Sequence, residues 1–423
     1  MPQAESIALQ RLWGNGPYRT FWLANLISNL GTSAFVMAMT WLTVRSYGAH
    51  GIALLALGYG IPQFGLQVFG GAVSDRLARR RLFLCTEVCF LISALILWLA
   101  TMQGAVPLGL LVAVNACNGV ISAFDTPART ALISEMVPGD DRVNAQQLYS
   151  LAASLTNVFG PALGGILLSI GRSSQVHEEI AFLFNVLSFL PLLASIPFLP
   201  QAAVVDHAPQ RERMRDAIRE GWRYVVRQRS LRNLLLLLAL LMLLGMPFQT
   251  LLPIFVHDHP SMHGGHQFYA ALLSAVGFGG FVGSLLGMTA GELRRPGLLL
   301  VAAALGLAVS ILLLAGSSVL HWASLAAFLA GACSVFSINL NNALDMALTP
   351  IELQGRVASI ASLGKGLQSF SAAGASEVIH LLGRALPASD SYLLVQSAMA
   401  TALLAGVVAI WRPLSRIEGS ALR

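Results

Sequence analysis

Gly71-Ala72-Val73-Ser74-Asp75-Arg76-Leu77-Ala78-Arg79-Arg80-Arg81 crowds one acid and four arginines into a short stretch between two long apolar segments. Over the whole chain of 423 residues only 11% are charged and 56% are hydrophobic. A soluble chain of that balance would expose more apolar surface than its polar residues could cover. The cluster therefore marks a place where the polypeptide leaves a bilayer and turns back into it.

Working outward from that turn, apolar runs of the ~20 residues needed to cross a ~30 Å hydrocarbon core recur along the chain. They predict an all-α membrane protein of twelve transmembrane helices. The expected spans are 20–44, 51–73, 82–101, 106–126, 147–170, 180–199, 232–256, 267–290, 297–317, 321–344, 357–382 and 391–411. The first run, beginning near Thr20, is too long for a signal-peptide core and lacks a small-residue cleavage site, so it reads as the first span. Cys85, Cys89, Cys117 and Cys333 lie inside apolar segments as small hydrophobes and support neither a disulfide framework nor a zinc spacing.

The net charge of +6 does not point to nucleic acid, because the 26 basic residues fall in short gaps between apolar runs and form no polar domain. Twenty-two arginines collect on one face, among them Arg11, Arg19, the cluster at Arg76, Arg129, Arg142 and the run from Arg211 to Arg232, against Arg45, Arg172 and Arg384 on the other. Basic residues are retained in the cytoplasm, so both termini are expected there.

Polar residues 200–231 divide the chain into a six-helix half at 1–199 and a second at 232–423. Within that linker Met214, Ile218, Trp222, Val225 and Val226 recur at helical spacing among arginines, the pattern of a basic amphipathic helix lying on anionic lipid or docking on another protein. The halves echo one another: Arg142-Val143 matches Arg356-Val357 at an offset of 214, and Gly160 with Gly374, Cys117 with Cys333 and Gly71 with Gly287 follow at nearly the same offset. The second copy of the opening turn keeps Gly287, Gly291, Arg294 and Arg295 and lacks the aspartate.

Twelve spans in two halves, with a Gly-x-x-x-Asp-Arg-x-x-Arg-Arg-Arg turn between the second and third, resemble the major facilitator superfamily over essentially the whole chain. The family's usual glycine before the last basic run is Ala78 here. The resemblance implies a cytoplasmic conformational latch built from Gly71, Asp75, Arg76, Arg79 and Arg80. Asp75 would bond near the start of span 11, and Arg76 or Arg79 would pair with an acid at the end of span 4, for which Asp125 is placed. Gly160-Pro161-Ala162-Leu163-Gly164-Gly165 in span 5 is a site for a bend and close packing, and it resembles the signature of the family's antiporters, which are exporters. Thr156 stands where that signature has a further glycine. Phe124-Asp125-Thr126-Pro127-Ala128-Arg129, Met136-Val137-Pro138 and Glu220-Gly221-Trp222-Arg223-Tyr224 resemble the enterobactin exporter branch, which also holds macrolide efflux proteins.

Polar side chains in hydrocarbon are costly, so those present should face partners or water. Asn25 and Asn29, Gln63 and Gln67, Asn115 and Asn118, and Asn339 with Asn341 and Asn342 lie in spans 1, 2, 4 and 10. By resemblance these spans line the cavity, which makes the amides candidates to hold a polar cargo or, equally, glue between helices. Lys365, the one lysine of the chain, lies nine residues from Arg356, about 13 Å along a helix and close to the midplane. It is a candidate contact for an anionic cargo. Asp125, Glu87 and Glu377 are, in that order, the candidates to carry a coupling proton.

These readings converge on a secondary exporter of an organic small molecule in the bacterial inner membrane, working by alternating access, coupled to protons and acting as a monomer among lipids. A siderophore is the first expected cargo; the alternatives are a multidrug or macrolide-type efflux pump and, behind both, a non-transporting sensor. No catalytic cluster is present, so no enzyme is expected, nor any cofactor. The four-glycine stripe Gly279, Gly283, Gly287 and Gly291 reads as helix packing, not a dinucleotide loop. The outer His257, His259, His263 and His266 sit on a glycine-rich loop where no ordered metal site is expected.

Overall fold

The computed structural model describes residues 11–74, 78–104, 106–137, 139–170, 178–199, 223–259, 265–290 and 295–415. We number its long helices α1 (Gly16–Ser74), α2 (Arg79–Met102), α3 (Leu108–Met136), α4 (Arg142–Ile170), α5 (Glu178–Ser195), α6 (Arg229–Leu240), α7 (Pro247–Asp258), α8 (His266–Ala290), α9 (Pro296–Ala315), α10 (Leu320–Leu348), α11 (Ile351–Leu382) and α12 (Ala388–Ser415). A backbone in lipid must satisfy its own hydrogen bonds, which is why apolar runs of this length become helices.

Ten helices among the described residues are long and apolar enough to span a membrane, where twelve spans are expected. The first two expected spans run together in α1, whose 59 residues are broken at Gly48, with φ 61° and ψ −155°. Only glycine adopts that conformation freely, so one residue replaces the expected loop. The expected seventh span is also interrupted: α6 and α7 are separated by a π-turn, Leu241–Gly245. The expected eleventh span lies within α11, which is not among the ten.

Contact density divides the chain into two compact units. One comprises Met1–Thr43 with Gly58–Asp206, and the other Val44–Leu57 with His207–Arg423. The segment around Gly48, placed by sequence in the first half, thus belongs with the second unit. In the first unit α3 crosses the second part of α1 with backbones nearly touching: a Cβ on Gly119 would lie 2.4 Å from the carbonyl oxygen of Tyr59. In the second unit α8 and α10 meet the same way. A Cβ on Gly279 would lie 1.9 Å from the Phe328 oxygen, and one on Gly331 would lie 2.0 Å from the Val276 oxygen. Small residues at helix contacts allow this approach in lipid, and the expected glycine stripe on α8 is part of it.

Met214, Ile218 and Trp222 of the expected surface helix lie outside the described residues. Its far end packs in part on the second unit, with Val226 exposed. Val225 is buried against Leu231, and both Tyr224 Oη and Gln228 Nε2 donate to the Leu348 carbonyl at 3.3 Å, at the end of α10.

Candidate functional site

The densest polar cluster described inside a helical unit lies in the first unit, where α1, α2 and α3 meet. It depends on α3 continuing through Pro127 to Met136, ten residues past the expected end of span 4. The expected bounds followed the apolar run, which ends at this turn, and not the helix itself. Inside a membrane the cost of leaving several backbone groups without partners exceeds that of one proline in a helix. Continuing the helix places Asp125 and Arg129 four residues apart on one face.

Arg129 is the centre of the cluster. Its Nε donates to Asp125 Oδ2 at 3.0 Å, its Nη2 to Glu87 Oε1 on α2, and its Nη1 to Asn25 Oδ1 on α1. The guanidinium also lies 5.0 Å from the centre of the Phe83 ring. Thr86 Oγ1 donates to the second carboxylate oxygen of Asp125 at 2.9 Å. Asn25 and Glu87 are 0% exposed, and Asp125 and Arg129 are 7% and 9% exposed. Two carboxylates therefore share one guanidinium away from water. Among the described residues, Glu87 Oε2 and Asn25 Nδ2 are buried with no hydrogen-bond partner.

The arginine run that follows the opening turn closes the same end of this unit. Arg79 pairs with Glu135 on α3, and Arg80 donates to the Leu199 carbonyl at 3.1 Å. Arg79 thus pairs with Glu135 and not with Asp125, while Arg76, the other expected partner of Asp125, lies outside the described residues. Asp125 lies further inside, taken by Arg129, whereas Glu135 near the helix end is within reach. Gly71 lies in the last turns of α1, and Asp75 and Arg76 lie outside the described residues.

Of the amides, Asn25 belongs to the Arg129 cluster and Asn118 accepts from Ser93 Oγ at 2.7 Å. Asn29, Gln63, Gln67 and Asn115 are half-buried, and Asn339 and Asn342 are exposed. Asn339 donates to Ser284 Oγ at 3.4 Å, a weak contact. Lys365 falls on α11, with its side chain outside the described residues. Glu377 accepts from, or donates to, His50 Nδ1 at 2.8 Å. In α4, a Cβ on Gly160 would lie 2.3 Å from Ser33 Oγ, and one on Gly164 would lie 3.2 Å from Ala34 Cα. The Gly160, Pro161, Gly164 and Gly165 motif thus lies where α4 packs on α1.

Sequence reading passed over three charged residues. Arg129 stood as a topology anchor and as the last residue of a branch motif, and neither Glu135 nor Asp345 on α10 was among the candidates. Asp345 is 6% exposed; its Oδ2 accepts from Asn341 at 2.9 Å, while Asp345 Oδ1 and the buried Asn341 Oδ1 and Ser337 Oγ have no partner among the described residues. The available signal was spacing: Ser337, Asn341 and Asp345 recur every four residues along one face of a helix.

Solved structures share the fold at low identity. Nucleoside transporter NupG, as the D323A mutant, aligns with a TM-score of 0.73 at 10% identity over 94% of this chain and 100% of its own. A bacterial homolog of the human lysosomal transporter Spinster aligns at 0.67 and 15% identity, covering 94% and 97% of the two chains. These likenesses show a shared fold. The model of the family described as transmembrane secretion effector matches residues 13–416, and this chain belongs to that family of the major facilitator superfamily, whose members are transporters of small molecules and not enzymes. Among curated relatives, the staphyloferrin A transporter of Staphylococcus aureus is 22% identical over 63% of this chain and 65% of its own length. An uncharacterised transporter of Bacillus subtilis, YfiS, matches at 25% identity over 49% of each chain, so the chain spans 49% to 65% of the length of these two relatives. The enterobactin exporter EntS of Escherichia coli is 26% identical over 80% of this chain and 79% of its own.

Proposed function

We propose that this protein exports a siderophore across the bacterial inner membrane by alternating access, each cycle exchanging outgoing cargo for incoming protons. The observation that carries the coupling is the Arg129 cluster, in which two buried carboxylates face a single guanidinium. An unpaired negative charge in such a site is costly, so the cluster is neutral only when one carboxyl holds a proton. Glu87 is the group with an oxygen to spare, since both oxygens of Asp125 are engaged. The proposed carrier is therefore Glu87, with Asp125 holding Arg129 in place, which reverses the order expected from sequence.

The proposed cargo rests on the relatives named as enterobactin exporter and staphyloferrin A transporter and on chemistry. The amides of the first, second, fourth and tenth spans with Lys365 suit a polar, anionic molecule better than a lipophilic cation. The arginine bias places both termini in the cytoplasm. The Asp75 turn acts as the latch, and the packed Gly160 motif supports export.

Inverted membrane vesicles containing the purified chain test the coupling. Imposing an acidic interior should drive accumulation of a radiolabelled iron-free siderophore. In Glu87→Gln that accumulation should fall at least tenfold, while exchange of internal for external siderophore continues without a gradient. Unchanged gradient-driven accumulation in Glu87→Gln would overturn Glu87 as carrier. Accumulation of a macrolide with none of a siderophore would overturn the cargo.

A further inference from the structure

Beyond the transport cycle, the second unit brings His50 to a pair of side chains, Glu377 and His380, that no spacing in the sequence connects with it. Glu377 and His380 are separated by one helical turn on α11, so they lie on one face. His50 arrives from 327 residues away, two positions after the Gly48 break, and its Nδ1 lies 2.8 Å from Glu377 Oε2. The His50 and His380 rings are 5.3 Å apart between centroids, inclined at 40°. One donor atom from each of the three residues lies within 4.8 Å of the others.

We propose that His50, Glu377 and His380 form a binding site for a divalent transition-metal ion, Zn2+ being the best fit. Around a tetrahedral zinc, with bonds of about 2.0–2.2 Å, ligand atoms stand about 3.3 Å apart. The three donor atoms, all within 4.8 Å of one another, would have to draw in to that spacing on binding. Two imidazoles and one carboxylate are a ligand set used in open zinc sites, with water in the fourth position. The nitrogen ligands select against magnesium and calcium, which take oxygen. The side chains of His50 and Glu377 are 43% and 40% exposed, so protein atoms do not seal the three donors off from an arriving ion. A simple His50–Glu377 hydrogen bond accounts for two of the residues and gives His380 no part, whereas a metal uses all three. On binding, the metal takes the place of any proton held between His50 Nδ1 and Glu377.

The ion would tie the segment Val44–Leu57, and with it the Gly48 break, to α11. A transporter that must move this segment during its cycle would then be slowed by zinc. That second consequence rests on the proposed transport cycle, and the binding itself does not.

Zinc titration of the purified full-length chain in detergent, by calorimetry and by competition with a chromophoric chelator, tests the site directly. One saturable zinc per chain is expected, weakened at least tenfold in His50→Gln and in His380→Gln and unchanged in the double variant His257→Ala, His266→Ala. Cobalt should give the visible bands of a four-coordinate nitrogen and oxygen site in the unaltered protein, a readout that needs no variant to fold. Absence of saturable zinc binding and of the cobalt bands in the unaltered protein would overturn the proposal, as would binding that survives His50→Gln and His380→Gln and disappears in the His257, His266 variant. Zinc binding without inhibition of siderophore export would leave the site standing and show that the tied segment does not move.

Discussion

At the scale of single residues the consequential one is Arg129. Its guanidinium meets Glu87, Asp125 and Asn25 at once, a geometry that requires the fixed fork of arginine and not the point charge of a lysine. Removing it leaves two buried carboxylates facing each other, and breaking a buried pair costs about 3–5 kcal/mol. Arg129→Ala should therefore lower the thermal unfolding temperature of the detergent-solubilised protein far more than Glu87→Gln, which removes the surplus charge. Equal melting temperatures for the two variants would show that the cluster is not the charge-paired unit described. Glu87 and Asp125 were singled out from sequence because acids in apolar segments are conspicuous. Their common partner was not, since it lies 42 residues from Glu87 and 104 from Asn25, and an arginine near a span's end reads as a topology signal.

At the scale of helices, glycine sets how closely α8 and α10 approach. A Cβ on Gly283 would lie 2.2 Å from the Ala332 carbonyl oxygen, which is backbone and cannot rotate away. Gly283→Val should thus destabilise the second unit by about 1–3 kcal/mol or more, seen as loss of folded protein in fluorescence-detected size exclusion. The matched position Gly374, paired by sequence with Gly160, has nothing within 4 Å of its would-be Cβ, so Gly374→Ala in the same assay is the contrasting neutral control. Helix existence was legible in the hydropathy of the chain. Helix ends were not: the fourth span was expected to end at 126 and residues 45–50 to form a loop, because apolar run length does not register the cost of open backbone in lipid, which keeps the helix going.

At the scale of the whole molecule, alternating access needs contacts that hold and release. The proposed latch around Asp75 is tested by Asp75→Asn, which should cut siderophore export several-fold while the amount of protein in the membrane stays the same. Unchanged export would rule the latch out. Glu135→Gln gives a second handle, because it removes the partner that Arg79 uses in the structure. Both of those side chains are partly exposed, so the loss in stability should be about 1 kcal/mol or less, and any larger effect on export is then a switching effect.

The linear order of residues was enough to establish a multi-spanning helical membrane transporter. Hydropathy, the arginine bias and the Gly71 to Arg81 turn are local or periodic signals that survive without any contact map. Only the folded chain decided which charges meet. Arg79 closes on Glu135, Arg129 draws Glu87 and Asp125 together, and His50 reaches Glu377 and His380. These pairings depend on helix length, the break at Gly48 and the distance between packed backbones. Each changes with the displacement of one helical turn, and no spacing rule along the sequence measures that displacement.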